Sequence, residues 1–98
     1  MKIKIEETDT KGVFAALEDE MQIGEMTFSN ANDGKLMIID HTQVNPDQNG
    51  KGVGKFLFEE MVKFARKEDR KVLPLCPFAK AMFQKNKSEW DVLRNGAP

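Results

Sequence analysis

The sequence predicts an α/β (α+β) fold built on a mixed sheet, with elements in the order β-β-β-β-α-β-α. Three observations point there. Leu36-Met37-Ile38-Ile39 is a continuous apolar run, as a strand covered on both faces requires. After it comes Asn49-Gly50-Lys51-Gly52-Val53-Gly54-Lys55, where glycines alternate with small or basic residues. Beyond that, Val53, Leu57, Met61 and Phe64 recur at helical spacing. A strand therefore turns through glycines into a long helix.

The elements follow in order. Lys2 to Glu6 alternates polar and apolar, with Ile3 and Ile5 on one face, and reads as a strand. Gly12–Asp19 and Met21–Ser29 flank Glu20 closely and read as a hairpin. Ala31-Asn32-Asp33-Gly34 is a cluster of turn formers that starts another reversal. Lys35 to Val44 is the inner strand, and Asn45 to Gly50 the loop that leaves it. The helix is expected from Lys51 to Lys67, its end marked by the cations Arg66, Lys67, Arg70 and Lys71. Lys71 to Leu75 is a short strand. A second helix is expected over Phe78–Lys85, with Pro77 suited to its first turn. Ser88 suits the cap of a last turn at Glu89-Trp90-Asp91. Three reversals give antiparallel strands, and the long helix crosses over, right-handed, to a parallel one.

The composition narrows the function. Ninety-eight residues are expected to form one domain, residues 1–98, with an adequate core. A net charge of −1, without aromatic residues interleaved among basic ones, argues against nucleic acid as a partner. Met1 to Ile5 lacks the apolar core of a signal peptide, and no apolar run reaches membrane-spanning length. The expected location is the cytoplasm, with no membrane partner. One cysteine excludes an internal disulfide and, with one histidine, gives no ligand set for a metal.

The glycine loop carries the chemistry. A helix N-terminus presents unpaired N–H groups and the positive end of its dipole, and therefore binds anions. Glycines admit a phosphate close to the backbone, and Lys51 and Lys55 add charge. A P-loop would need glycine where Asn49 stands and Ser or Thr where Phe56 stands. The dinucleotide fingerprint would need glycine at Lys55, and no ribose-binding acid follows a second βαβ unit. A pyrophosphate cradle of another kind is left. In an open α/β sheet, ligands bind outside the carboxyl ends of the strands, where His41 to Val44, Cys76 and this loop converge.

Asn49 to Gly54 resembles the acyl-CoA loop of the GNAT acetyltransferases, in which Arg or Gln is followed by two residues, Gly, one residue, then Gly or Ala. Asn49 departs from the first position, and Gln48 stands one place too early to fill it. Asp40-His41-Thr42-Gln43-Val44 with Asn45-Pro46, and Leu73 to Lys80, extend the likeness over the second half of the chain. The strand order extends it over the first. The whole is similar to the compact class of that superfamily, about a hundred residues long. The resemblance implies parallel strands that splay to hold CoA, with Val44 at the pantetheine. It places Asn49, Gly50, Lys51, Gly52, Val53, Gly54 and Lys55 at the pyrophosphate. It also implies acetyl-CoA as cosubstrate and an unidentified amine as acceptor. The compact class lacks the early helices that shape the acceptor pocket in larger members, so an open acceptor site is expected.

Acetyl transfer needs a deprotonated amine, a stabilised oxyanion and a proton for the leaving thiolate. Many members of the superfamily use a tyrosine as that acid, and this chain has none. Cys76, before the second helix, is the candidate replacement, as proton donor or as acyl acceptor. The alternative for Cys76 is a small buried hydrophobe. His41 is the candidate base, acting on the amine or on Cys76; its alternative is a hydrogen-bonded histidine within the sheet. Strand alternation turns Asp40 and Thr42 away from the face of His41. Phe78, Met82 and Phe83 read as core, and Trp90 as a lid under the C-terminal turn. The missing tyrosine keeps a second reading open, a CoA-binding or interaction module without turnover.

Overall fold

The computed structural model describes residues 1–98. Five strands form one sheet in sequence order: β1 (Lys2–Glu7), β2 (Lys11–Glu18), β3 (Met21–Ala31), β4 (Leu36–Val44) and β5 (Lys71–Pro74). The first four are antiparallel, and β5 lies parallel to β4. Helix α1 (Val53–Lys67) makes the crossover, and α2 (Pro77–Lys85) follows β5. Short 3₁₀ turns cover Pro46–Gln48 and Lys87–Val92. Beyond the second, Leu93 bridges Val72, and Arg94 N–H donates to Val72 O, so residues 93–94 lie along the outer edge of β5.

The mixed α/β class and the order of elements agree with the sequence. Boundaries move for local reasons. Helix α1 starts at Val53 rather than Lys51 because Gly52 sits in the left-handed region (φ 78°), outside helical geometry. Helix α2 takes Pro77 as its first residue, where a missing N–H costs nothing. The β2–β3 hairpin closes on Asp19 and Glu20, both at positive φ, as a two-residue turn of the right twist demands.

Both helices pack on one face of the sheet. Phe14, Met26, Phe28, Met37 and Ile39 point inward from the strands to meet Leu57, Met61, Val62 and Ala65 of α1. Phe83 of α2 joins them edge-on to Phe58, with ring centroids 4.9 Å apart. On α1, Lys55, Glu59, Lys63 and Lys67 form the exposed stripe. No helix covers the other face of the sheet, where Thr27, Ser29, Asp40, His41 and Gln43 lie.

Two irregularities shape the sheet. β2 and β3 shift register at Ala16/Leu17, and β3 and β4 shift at Thr27/Phe28. In the second, Ile39 pairs with Phe28 and His41 with Thr27, so Asp40 is an extra residue: a β-bulge. The bulge reverses the faces of everything after it. Thr42 turns inward with Ile39, and His41 turns outward. Simple alternation puts both on the opposite faces.

Candidate functional site

The glycine loop and the end of α1 form a cluster of unused donors. Gly50 and Gly52 both have positive φ (81° and 78°), which tips successive N–H groups toward one side. The backbone N–H groups of Gly50, Gly52, Val53, Gly54 and Lys55 have no acceptor in the protein; the first helical bond runs from Phe56 N–H to Gly52 O. No side chain caps the helix, and its first turn carries no acid. Lys51 and Lys55 are exposed, and neither enters an ion pair. Asn49 N–H bonds Pro46 O, and its exposed side chain has no partner. Five donors without acceptors, two lysines outside any ion pair and the positive end of a helix dipole are thus gathered in one short stretch, the kind of terminus that binds anions.

Gly54 has a second duty. A Cβ at this position would lie 2.8 Å from Phe78 Cζ, so its lack of a side chain lets α2 close on the start of α1. Phe78, read from the sequence as general core, is the residue that locks the two helix N-termini together.

Beside the loop the sheet opens. β4 and β5 pair from Leu36↔Lys71 to Ile39↔Pro74 and no further. Ile39 O accepts from both Leu75 N–H and Cys76 N–H, which ends the ladder. β4 then runs on to Val44, while the chain after Pro74 turns into α2. Asn45 N–H bonds Ile23 O, toward β3. Alternation back from there directs the backbone groups of Val44 and Thr42 away from β3 and into the gap. The Val44 side chain packs inward against the core.

Cys76 stands at the base of this gap as the N-cap residue of α2. It is 3% exposed, and its Sγ donates to Thr42 Oγ1 at 3.3 Å. Thr42 is the partner that sequence reasoning missed, because a bulge leaves no compositional mark. His41 is exposed on the outer face, 3.3 Å from Gln43 Oε1 through Nε2. The expected partnership of His41 with Cys76 is therefore absent: the bulge places them on opposite faces of β4.

Two further cavities lie outside the gap, one of them bordering the loop at Lys55. A cleft of about 310 Å³ between the helices opens beside Lys55, Met82 and Asn86. The largest cavity, about 700 Å³, lies at the far end of the sheet around Arg70. Arg70 is 9% exposed; it donates to Gly34 O, to both oxygens of Glu7 and to Asn30 Oδ1. Those bonds from Arg70 hold the Glu7 carboxyl below the usual carboxylate range, against the opposing effect of burial. This is an internal clamp, remote from the loop. Likewise Arg66, bonded to Asp91 and Glu89, lowers the Asp91 carboxyl and ties α1 to the turn after α2.

A family model described as GCN5-related N-acetyl-transferase matches residues 13–93. The chain belongs to this family. Among solved structures, a GCN5-like candidate N-acetyltransferase from Staphylococcus aureus is 33% identical, with a TM-score of 0.64 over 92% of this chain and 86% of that one. A ribosomal-protein-alanine N-acetyltransferase from Brucella melitensis is 18% identical, with a TM-score of 0.68 over 80% and 62% of the two chains. An aminoglycoside N-acetyltransferase, AAC(6′)-Iy, solved with CoA, is 15% identical, with a TM-score of 0.55 over 84% and 68%. The last two speak to the fold alone. No curated protein matches the chain. In this member of the GCN5-related family, the glycine loop follows directly on the end of β4, where β4 and β5 part. The outer face of the sheet is bare, and no helix of the protein is long and apolar enough to cross a membrane.

Proposed function

We propose that the protein transfers an acetyl group from acetyl-CoA to an amine. The observation that carries this reading is the set of five partnerless N–H groups around Gly50–Lys55, next to two parallel strands that part at Ile39 and Pro74. In this reading Asn49, Gly50, Lys51, Gly52, Val53, Gly54 and Lys55 hold the pyrophosphate, the glycine N–H groups and lysine charges doing most of the binding. The pantetheine amides bond the backbone of Val44 and Thr42 in the gap, which aims the thioester at Cys76. Cys76 is the proton donor to the leaving thiolate, with Thr42 orienting its Sγ. His41, on the outer face, meets the incoming amine rather than the sulfur.

The deciding experiment is a calorimetric titration with acetyl-CoA on the wild type and on Gly52→Glu and Lys51→Glu. Saturable binding that Lys51→Glu weakens and Gly52→Glu abolishes supports the cradle. Absence of binding to the folded wild type sinks the reading. Cys76→Ala separates binding from chemistry: unchanged affinity with slower turnover is the expected result, and equal turnover removes Cys76 from the mechanism.

The burial of Cys76 favours one competing reading. A thiol that is 3% exposed and already bonded to Thr42 is also what a packing residue looks like. A CoA-binding module without catalysis then follows, and it predicts acetyl-CoA affinity with no CoA release on any amine.

A further inference from the structure

The acyl-transfer reading leaves the acceptor undefined, and the outer face of the sheet supplies a place for it. The bulge in β4 projects Asp40 onto that face at the point where pairing with β5 ends. Asp40 is exposed, accepts a hydrogen bond from Ser29 Oγ at 2.8 Å, and has no cation within ion-pair distance. From Asp40 a groove of about 560 Å³ crosses β3 and β2 toward β1. That volume suits a small ligand. Its floor includes Thr27, Val13 and the backbone of Gly12, none of them charged.

The charges along the groove are unequal. Asp40 is the one carboxylate there free of a cation. Glu7 is held by Arg70, and Glu6 lies 3.7 Å from Lys4. Lys11 is the sole cationic residue of the lining, and it discourages a second positive charge further along. The groove thus offers an unpaired carboxylate at the bulge, then a floor without charge, and at its far rim Lys11 with the ion-paired Glu6 and Glu7.

We propose that this groove is the acceptor site of the transferase, and that Asp40 binds the ammonium of a primary amine whose uncharged body lies over Thr27 and Val13. The inference rests on the acyl-transfer reading, since it is the strand gap beside Asp40 that would present the thioester. Asp40 acts as a specificity residue. Ser29 fixes its carboxylate, and charge-assisted bonds to an ammonium are the strong class of such contacts.

The test is an amide-resolved NMR titration of the CoA-loaded protein, which cannot transfer acetyl, with n-pentylamine, run on the wild type and on Asp40→Asn. Asp40 is exposed, so the variant keeps the fold. The expected result is saturable shift changes at Val13, Thr27, Ser29 and residue 40. Affinity in Asp40→Asn should be weaker by about tenfold or more, as loss of a charged hydrogen-bond acceptor implies. 1,5-diaminopentane should bind no better than pentylamine. Equal affinity in Asp40→Asn, or shifts confined to other surfaces, overturns the groove and leaves acetyl transfer standing. Absence of CoA-induced shifts at Gly50–Lys55 in the wild type overturns both.

Discussion

At the scale of single residues, the glycines of one loop do different work. Gly50 and Gly52 have open space where a Cβ would go, but their backbone is left-handed; Gly54 has ordinary φ, and the Phe78 ring stands where its Cβ would be. Gly54→Ala is therefore expected to destabilise by overpacking, by about 1–3 kcal/mol in urea denaturation. Phe78→Leu in the same chain should recover part of that loss, and no recovery would mean that the ring is not the obstacle. Gly52→Ala is expected to lose about 1–2 kcal/mol through backbone strain alone, with no recovery from Phe78→Leu. Thr42→Val tests the contact that the bulge creates. It removes the acceptor for Cys76 Sγ while keeping shape, so stability should change little and acetyl transfer should fall with acetyl-CoA affinity unchanged.

At the scale of elements, much is legible in the sequence, and the misassigned faces of β4 share one cause. Helices and strands announce themselves by repeating apolar residues, and the Val53–Phe64 and Leu36–Ile39 patterns locate α1 and β4. The glycine loop is legible because glycine is demanded by backbone geometry as well as by ligand approach. The faces of His41 and Thr42 are not legible, since period-two counting assumes an unbroken pleat and one extra residue at Asp40 breaks it. The place of Cys76 beside a helix N-terminus can be read from Pro77; its hydroxyl partner is hidden by the same bulge. Turn chemistry gives a separate prediction. Glu20 closes the β2–β3 hairpin at φ 66°, a conformation that suits glycine better. Glu20→Gly is expected to stabilise the protein by about 0.5–1 kcal/mol, read as a raised thermal midpoint. A lowered midpoint would show that unfolded-chain entropy outweighs the relief of strain.

At the scale of the whole molecule, the protein is anchored at one end and open at the other. The Arg70–Glu7–Asn30–Gly34 clamp joins β1, β3, the β3–β4 turn and the start of β5; the loop and strand gap lie at the opposite end of β4. Because the folded Glu7 carboxyl titrates below its unfolded value of about 4.3, its stabilising share is complete above that pH. The share is lost as pH falls through the lower, folded value. Glu7→Gln should flatten the decline of stability as pH falls below about 4, measured by urea midpoints at successively lower pH. An unchanged slope would assign acid unfolding to other carboxylates. Arg66 and Asp91 contribute less, since both are about half exposed and solvent screens their attraction. The bridge that Leu93 and Arg94 make to Val72 of β5 has a consequence at the sheet's border. It occupies hydrogen-bonding groups that would otherwise template another chain, and the opposite border at β1 carries Lys2, Lys4 and Glu6 outward. A sheet with one bare face thereby presents less free edge for sideways pairing, and clipping the chain before Leu93 would expose Val72 on that edge.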